Sequence, residues 1–413
     1  MRWPQASIRD IAPPERAAVS FNDEQEVWSL SLDQIESQTG RILGKQRIRA
    51  GDAGTSTFPF DTEHVLYSKL RPYLNKVVRP DEPGLATTEL VPLRPNRDLI
   101  DAGFLTFYLR SDSFLRFATN MVAGAKMPRM VMDRFWEHLL PLPPLSEQRR
   151  IVELLEQADT LRRHSADADS LAKRVLPALF RKMFGDPVRN PKQWPLKRFD
   201  ALGEARLGKM LDGNRQTGLH RRKYLRNLNL QWDRFELANL LEMDFFPEER
   251  EEFKLIRGDL LICEGGEVGR AAIWDEQLKE CYFQKALHRV RPYKGEATSE
   301  FLLYWLWEMA KQQALVSLNS KATIAHLTGV QLAALKVIAP PYPMMEQFTT
   351  LVRTSKLISN KQKAARDTIE TLFQTLLHRA FTGELTAGWR EAHMKELLAE
   401  MEIQARHLAS VQA

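Results

Sequence analysis

The strongest constraint on the fold of this 413-residue chain is an internal repeat with a period close to 200 residues. Three blocks recur in the same order, which chance would rarely produce, and overlooking such a repeat would misread the whole fold. The repeat therefore predicts that each half of the chain forms one mixed α/β domain followed by one long helix. The recurring blocks are Pro141–Gln148 and Pro340–Gln347, Phe104–Leu109 and Phe301–Leu306, and Leu179–Phe184 and Leu376–Phe381.

The domain portions combine strand and helix patterns, which predicts an α+β fold. Val65–Leu70 and Asp259–Cys263 are short apolar runs bounded by turn residues, so we predict strands there. Phe104–Arg110 and Phe301–Met309 have helical spacing. The glycines within 265–269 follow a strand but lack both the Gly-Lys-Ser/Thr ending and the G-x-G-x-x-G spacing of phosphate loops. A hairpin turn is the favoured interpretation.

A long helix follows each domain and carries a narrow apolar stripe with helical spacing. This pattern predicts that the two helices pack on each other as an antiparallel, coiled-coil-like pair, roughly 60 Å long at 1.5 Å per residue. Pro177 lies inside the first helix, where proline kinks or breaks the backbone, so we expect a bend there. The predicted seam consists of Ile151, Leu154, Ala158, Leu161, Ala168, Ala172, Val175 and Leu179 in the first helix and of Leu351, Ile358, Ala365, Ile369, Leu372, Leu376 and Ala380 in the second.

The patterns divide the chain into five segments. Three prolines and a glycine within 185–195 indicate an ordered linker that ends the first helix and opens the second domain. The last segment continues a helical pattern beyond the repeat, and it could pack on the helix pair or on a partner subunit. The predicted segments are 1–144 (first domain), 145–184 (first helix), 185–342 (second domain), 343–386 (second helix) and 387–413 (helical tail).

Composition indicates a globular protein, with 44% hydrophobic and 27% charged residues. The net charge of +6 is spread over the chain, so any contact with nucleic acid must come from local clusters. Cys263 and Cys281 are too few for a disulfide framework and have no partner at metal-ligand spacing, which favours the cytoplasm. The sequence contains neither a signal-peptide pattern nor 18 consecutive uncharged apolar residues, so we expect no export and no membrane span.

Two similar domains joined by an antiparallel helix pair would have pseudo-twofold symmetry. B-DNA has the same symmetry, and dimeric DNA-binding proteins hold two reading heads at a fixed distance. One chain with two different heads would read an asymmetric target in two parts, and the helices would set the spacing between the parts.

Five blocks carry a resemblance to a known family: Val65–Lys76, Pro141–Gln148, Phe184–Pro187, Phe253–Ile262 and Phe381–Thr386. In this order they resemble the specificity subunits of type I restriction–modification systems. The resemblance extends over both halves, from about residue 25 to residue 390. Each block alone is moderately specific, and the set is strongly so.

The resemblance implies a non-catalytic subunit with two target-recognition domains that bind double-stranded DNA. The implied partners are two methyltransferase subunits, which methylate adenine, and an ATP-driven restriction endonuclease subunit. S-adenosylmethionine, ATP and Mg²⁺ would bind to those partners, and we expect no cofactor or metal on this chain. The target-recognition domains are the variable part of the family, so base-reading residues cannot be transferred by motif.

Candidate DNA contacts are therefore chosen on physical grounds. Arg and Lys contact phosphates and guanine edges. Two stretches are rich in cations and poor in acids, and two loops before the long helices occupy matching positions in the repeat. Any one of these cations could equally be an ordinary surface residue. The candidates are Arg41, Lys45, Arg47, Arg49, Lys126 and Arg129 in the first domain and Lys209, Arg215, Arg221, Arg222, Lys223, Lys321 and His326 in the second.

Enzymatic alternatives find little support. Ala339–Tyr342 is one residue from the Asn/Asp-Pro-Pro-Tyr/Phe motif of amino-methyltransferases, but Ala339 cannot accept a hydrogen bond from the target amino group. Asp244 with Glu252–Lys254 loosely imitates the Mg²⁺ site of a nuclease, and we interpret it as a solvated acidic turn. The histidines do not pair at metal-ligand spacing, so no zinc site is predicted.

The same architecture allows a second function, that of a helical adaptor whose domains bind proteins rather than DNA. The acid-poor basic clusters favour DNA. A steep salt dependence of binding would distinguish the two functions, because DNA binding releases the counterions of the phosphates.

Overall fold

The computed structural model describes residues 3–317 and 326–412. The chain divides into two compact units. The first unit, residues 1–166 and 364–413, holds the first domain, the beginning of the first long helix, the end of the second and the tail. The second unit, residues 167–363, holds the second domain between the remaining parts of the two helices. Each unit therefore contains a piece of both helices.

The first domain is built from short strands and four short helices within its described residues. The strands are β1 (Gln5–Ser7), β2 (Glu26–Leu30), β3 (Gln46–Arg49), β4 (Thr57–Phe60), β5 (Val65–Ser68), β6 (Val77–Val78), β7 (Gly84–Thr87), β8 (Leu90–Leu93), β9 (Val122–Ala123), β10 (Arg129–Met130) and β11 (Leu139–Pro141). The helices are α1 (Ile8–Ile11), α2 (Ala102–Arg110), α3 (Asp112–Asn120) and α4 (Met132–Trp136), followed by the long helix α5 (Leu145–Phe184). One sheet has the order β3-β2-β7-β4, with β2 and β7 parallel, and another has the antiparallel order β6-β5-β8.

The second domain repeats this mixture of elements. Its strands are β12 (Leu196–Arg198), β13 (Gly203–Leu207), β14 (Arg221–Leu225), β15 (Leu230–Gln231), β16 (Arg234–Phe235), β17 (Leu241–Asp244), β18 (Leu260–Cys263), β19 (Ala271–Ile273), β20 (Tyr282–Phe283), β21 (Leu287–Pro292) and β22 (Lys336–Ile338). The helices that follow are α6 (Pro247–Phe253), α7 (Ser299–Lys311), α8 (Ala314–Ser317), α9 (Gly329–Ala334), the long helix α10 (Tyr342–Thr382), α11 (Ala387–Ala392) and α12 (Met394–Gln412). The sheets have the orders β13-β21-β18-β19 and β17-β14-β20. Short 3-10 turns lie at Leu32–Gln34, Ala50–Asp52, Pro72–Leu74, Phe199–Ala201, Gly213–Arg215 and Asn227–Asn229.

The predicted repeat is confirmed by the way each domain closes. The first strand of each domain pairs antiparallel with its last strand, β1 with β11 and β12 with β22. Gln5 faces Pro141 in the first pair, and Leu196 faces Ile338 in the second. Because the last strand directly precedes the long helix, each domain is closed at the point where its helix begins. The predicted strands β5 and β18, the helices α2 and α7, and the glycine hairpin between β18 and β19 are also confirmed.

The long helices run antiparallel within each unit, as predicted. In the first unit, the guanidinium group of Arg162 on α5 lies 4.3 Å from the ring centroid of Phe373 on α10. In the second unit, Phe180 and Phe184 of α5 pack on Phe348 of α10, with centroids 5.6 and 5.4 Å apart. Helix α5 continues through Pro177 without a break. No helix among residues 3–317 and 326–412 has the length and apolarity that crossing a membrane requires.

The predicted seam is wrong in the middle of both helices. Leu161 is 60% exposed and Leu372 is 54% exposed, and Val175, Leu351 and Ile358 are exposed as well. The buried side of α5 instead carries Asp159 and Arg162, which form an ion pair with an N–O distance of 2.5 Å. Because charged residues occupy the buried face here, the apolar spacing pointed to an adjacent side of the helix, offset by one residue.

A buried carboxylate fixes the tail to the beginning of α5. The fully buried side chain of Glu147 accepts hydrogen bonds from the Nε1 atom of Trp3 at 3.0 Å, the hydroxyl of Thr386 at 2.6 Å and the Nε atom of Arg390 at 2.7 Å. Glu147 thus ties the N-terminal segment and α11 to one point. A charge that is buried in this way is stable only while its partners are in place.

Helix α12 completes this attachment. The side-chain amides of Gln148 and Gln404 both donate to the backbone carbonyls of Leu99 and Pro143, at distances between 2.7 and 3.2 Å. The tail therefore packs on the first domain and on the beginning of α5, a choice that the sequence left open. In the second copy of the repeat, the equivalent residues Glu346 and Gln347 are exposed.

Removing the charge of Glu147 should destabilise the first unit. The substitution Glu147→Gln leaves Arg390 nearly buried without a counter-charge, so we expect a loss of about 3 kcal/mol in the free energy of unfolding. Denaturant unfolding, followed together with hydrogen exchange of α11 and α12, measures the effect. The matched control is Glu346→Gln at the exposed equivalent position, which should change the free energy by about 0.5 kcal/mol or less. Equal effects of the two variants would contradict the role of Glu147.

Candidate nucleic-acid interface

The first basic cluster lies on and beside the edge strand β3, and acids from elsewhere in the chain neutralise most of it. Arg41 precedes the strand and is half-buried. The hydrogen bond from Lys45 holds the pKa of Asp81 below its usual value, so this pair stays ionised at neutral pH. A stretch that contains no acids in the sequence can therefore lie close to acids from other parts of the chain in the folded protein. The ion pairs are Lys45–Asp81 at 2.7 Å, Lys45–Glu82 at 3.2 Å, Arg47–Glu82 at 2.7 Å and Arg49–Glu24 at 3.4 Å.

The late loop of the first domain forms the hairpin β9–β10. Arg129 makes a bidentate interaction with Glu89, with distances of 2.8 and 3.1 Å. Lys126 lies exposed at the turn and forms no ion pair among the described residues. Gly124 adopts a φ of 93°, a left-handed conformation that favours glycine, and so permits the tight turn. The hairpin therefore presents one free cation.

Two cations beside this hairpin were not nominated from the sequence. The amide of Arg71 donates to the carbonyl of Pro128 at 2.7 Å, and Leu70 bridges to Arg129, so the 69–71 segment and the hairpin form one surface. Arg71 is exposed at a φ of 49°. This left-handed conformation costs a non-glycine residue roughly 1–2 kcal/mol and is disfavoured before a proline, so no sequence pattern predicts it. Lys69 is half-buried and lies near Glu89, whose pKa it helps to lower. We name the group Lys69, Arg71 and Lys126 the first cationic surface.

Acids also cancel much of the second basic cluster. Arg206 pairs with Glu252, and Lys209 pairs with Glu249 while also donating to the carbonyl of Asp244 at 2.6 Å. Lys209 is largely buried, and its amine lies 5.1 Å from the ring centroid of Phe245. These contacts lie inside the domain and stabilise its fold, so the amine of Lys209 is engaged within the protein. Arg222 approaches Glu280 with an N–O distance of 3.3 Å.

Three cations of this cluster remain exposed and form no direct ion pair among the described residues, although the charge of Arg215 helps to lower the pKa of Glu249. Arg221 and Lys223 alternate along β14 with Arg222 and therefore project from the same face of the strand. Arg215 lies on the preceding loop, where its guanidinium group is 5.8 Å from the ring centroid of Phe246. We name Arg215, Arg221 and Lys223 the second cationic surface.

The late loop of the second domain is described in part. Lys321 lies outside the described residues. His326 is exposed, and a Cβ atom added at Gly265 would lie 3.0 Å from its ring, so the glycine allows the two loops to approach closely. The next residue, Leu327, accepts a hydrogen bond at 2.8 Å from the Nε2 atom of the buried His288. Burial lowers the pKa of His288, so this ring is neutral at pH 7.

The interpretation of Asp244 as part of a solvated acidic turn is wrong. Asp244 ends β17 with a fully buried side chain, and its carboxylate accepts hydrogen bonds from the backbone and hydroxyl groups of the loop before β14. Burial raises the pKa of Asp244, but the hydrogen bonds from Thr217, Gly218 and His220 outweigh it and hold the pKa below its usual value. Glu252 pairs with Arg206 instead of approaching Asp244.

Comparison with known proteins places this geometry in context. The type I restriction modification DNA specificity domain family matches residues 55–166 and 237–367, together more than half of the chain. The specificity subunit of the Escherichia coli type I restriction enzyme EcoDI is 28% identical over 206 residues, covering 49% of this chain and less than half (44%) of that subunit. The EcoKI specificity subunit of Escherichia coli strain K12 is 24% identical over 323 residues, covering 72% of this chain and 68% of that subunit.

Solved structures show the same fold over most of the chain. A chain from a study of complex assembly and conformational transition in the type I R-M system aligns with a TM-score of 0.61 at 19% identity, covering 93% of this chain and 98% of that one. The S subunit of a type I restriction–modification system from M. genitalium aligns with a TM-score of 0.53 at 12% identity, covering 92% and 96%. At these identities the likeness shows the fold alone.

Free and paired cations should contribute differently to DNA binding. The double variant Arg221→Ala/Lys223→Ala removes two unpaired charges, so the slope of log K against log salt should fall by about 2 if each contacts one phosphate. The matched control Lys45→Ala/Arg47→Ala removes two charges that Asp81 and Glu82 already neutralise, and its slope should change by less than half as much. Titration of a duplex at several salt concentrations measures both. Equal slopes for the first variant and the wild type would remove this surface from the interface.

Proposed function

Because the chain belongs to the DNA specificity family of type I restriction–modification systems, we propose that it recognises an asymmetric DNA target in two parts. Each target-recognition domain would read one part, and the subunit would direct adenine methylation and restriction by its partners. The observation that carries this proposal is the duplication of the specificity domain, with one copy matched on each half of the chain.

The exposed cations without a direct ion pair support the proposal that each domain reads its own part of the target. The first cationic surface (Lys69, Arg71 and Lys126) lies in one domain, and the second (Arg215, Arg221 and Lys223) lies in the other. Cations without a direct ion pair can contact phosphates, and neighbouring side chains can then read base edges in the groove. Since the two surfaces come from different local structures, the two half-sites would differ in sequence. His326 and the partially paired Arg222 are further candidates in the second domain.

A protein-binding adaptor is the second candidate function. The family match supports DNA as the ligand, because the matched domain is a DNA specificity domain. The salt dependence described above also separates the two functions, since an adaptor would not release phosphate counterions.

The exposed stripes of the long helices support the docking of partner subunits. The first unit exposes Leu161 and Leu372, and the second exposes Leu171, Val175 and Leu357. Exposed apolar side chains at helical spacing favour a helical partner that buries them. Both units expose apolar residues of the long helices, which accords with two methyltransferase subunits per chain, and the restriction endonuclease subunit would join this assembly.

The chemistry would take place in those partners. No group of three or more His, Cys, Asp or Glu side chains that could hold a metal ion occurs in the part of the chain that the structure describes. We propose that S-adenosylmethionine, ATP and Mg²⁺ bind to the partner subunits, where the target adenine would be flipped out and methylated. Access to cellular DNA would place the complex in the cytoplasm.

Base-resolution mapping of methylated adenines tests the proposed function. In cells that express this chain with its methyltransferase subunit, we expect a split motif with a methylated adenine in each part. Cells that express the methyltransferase subunit alone are the control and should lack the motif. A stable complex that yields no motif dependent on this chain would contradict the function and favour the adaptor.

Introducing charge into an exposed helix stripe should weaken docking. The double variant Leu357→Asp/Ile358→Asp places two carboxylates where an apolar partner surface would pack, so we expect at least a tenfold loss of methyltransferase affinity. The control Ile403→Asp alters an equally exposed apolar residue of the tail and should keep full affinity. Analytical ultracentrifugation measures the affinities, and unchanged binding by the double variant would place docking elsewhere.

A further inference from the structure

We propose that residues 210–220, here named the reading loop, contact base edges of the half-site read by the second domain, with Leu219 as the apolar contact to thymine methyl groups and Asp244 as the positioning residue. This inference rests on the proposed function and extends it to a particular loop. It combines three observations: an exposed apolar tip, a buried carboxylate that fixes the loop, and free cations on either side.

The reading loop carries three exposed apolar side chains, and the most exposed of them, Leu219, is here called the apolar tip. Leu219 is 81% exposed, Met210 is 61% exposed and Leu211 is 53% exposed. Single exposed apolar residues are common on protein surfaces, but a group of them in one polar loop marks a contact surface. The tip therefore offers an apolar contact that has no partner within the described part of the chain.

The loop is held in place by one carboxylate. Asp244 accepts hydrogen bonds from the amides of Thr217 at 2.5 Å, Gly218 at 2.7 Å and His220 at 3.1 Å, and from the Thr217 hydroxyl at 2.8 Å. In the other direction, the amide of Asp244 donates to the Oε1 atom of Gln216 at 2.8 Å. Hydrogen bonds to a buried charge are among the strongest in proteins. Four such bonds within four residues give an exposed loop a defined backbone.

Cations flank the apolar tip on both sides. Arg215 precedes it, and Arg221 and Lys223 follow it on β14. The acid of the loop, Asp212, is engaged in capping the short 3-10 turn, where its carboxylate accepts from the amide of Asn214 at 3.0 Å. The arrangement favours DNA over an apolar protein partner, because three free cations would be costly to bury without anionic partners.

The division of roles follows from the chemistry of the groove. Phosphates attract the cations but offer nothing to a leucine side chain, whereas the thymine methyl group is the apolar feature of the major groove. A leucine between cations that hold the phosphates would therefore prefer A·T pairs at one or two positions. Such a contact requires a fixed loop, because a mobile tip would not distinguish base pairs.

Methylation mapping with the complete complex tests the role of Leu219. The substitution Leu219→Ala should relax the preference for thymine at one or two positions of one half-site by roughly tenfold. The other half-site should keep its sequence and so serves as an internal control for folding and assembly. Ile256→Ala, at another exposed apolar residue of the same domain, is the matched control and should leave both half-sites unchanged.

The role of Asp244 needs a second measurement. Asp244→Asn should raise the hydrogen-exchange rates of the amides of Thr217, Gly218 and His220 at least tenfold and broaden the same half-site. Thr217→Val removes the hydroxyl bond without leaving a buried charge, so it should give a smaller change in the same direction if the first variant does not fold.

The outcomes separate this inference from the proposed function. If Leu219→Ala leaves every base preference unchanged while methylation persists, the reading loop is not the base contact and the inference is overturned. Unchanged exchange rates in both the Asp244 and Thr217 variants would overturn the positioning role. A wild-type complex without any motif dependent on this chain would overturn the proposed function itself.

Discussion

Antiparallel pairing between the first and last strands of each domain is the constraint on which the rest of this structure depends. Because β1 pairs with β11 and β12 with β22, the ends of each domain meet where a long helix begins. The remaining strands and loops can vary without displacing that helix. This arrangement allows one chain to carry two different loop surfaces, the proposed contacts with DNA, on two copies of the same framework.

Charge pairing selects which basic residues remain available. Most cations of the two clusters are neutralised by acids that lie far away in the sequence, such as Asp81 for Lys45 and Glu249 for Lys209. Among the described residues, the second cluster leaves Arg215, Arg221 and Lys223 without a direct ion pair, and in the first domain Arg71 and Lys126 are exposed outside the cluster. Surfaces of this size cannot bind DNA strongly by charge alone, so recognition of base edges has to contribute, as a specificity subunit requires.

The sequence allowed the repeat, the long helices, the glycine hairpin and the family to be predicted, since each depends on local pattern or order along the chain. The sequence did not predict features that depend on contacts between residues far apart along the chain. In the middle of α5 the apolar spacing identified an adjacent face, because the buried face there carries Asp159 and Arg162. The left-handed conformation of Arg71 and the burial of Asp244 likewise have no local pattern that would predict them.

The attachment of the tail affects the order in which the two units fold during synthesis. The second unit is one continuous segment, residues 167–363, whereas the first unit needs residues from both ends of the chain. Glu147 meets Arg390, and Leu99 meets Gln404, only after the segment that carries Arg390 and Gln404 has left the ribosome. Domains generally fold as units during synthesis. The first unit therefore begins to be synthesised before the second but is completed after it. Substitutions in residues 364–413 would then destabilise the amino-terminal domain.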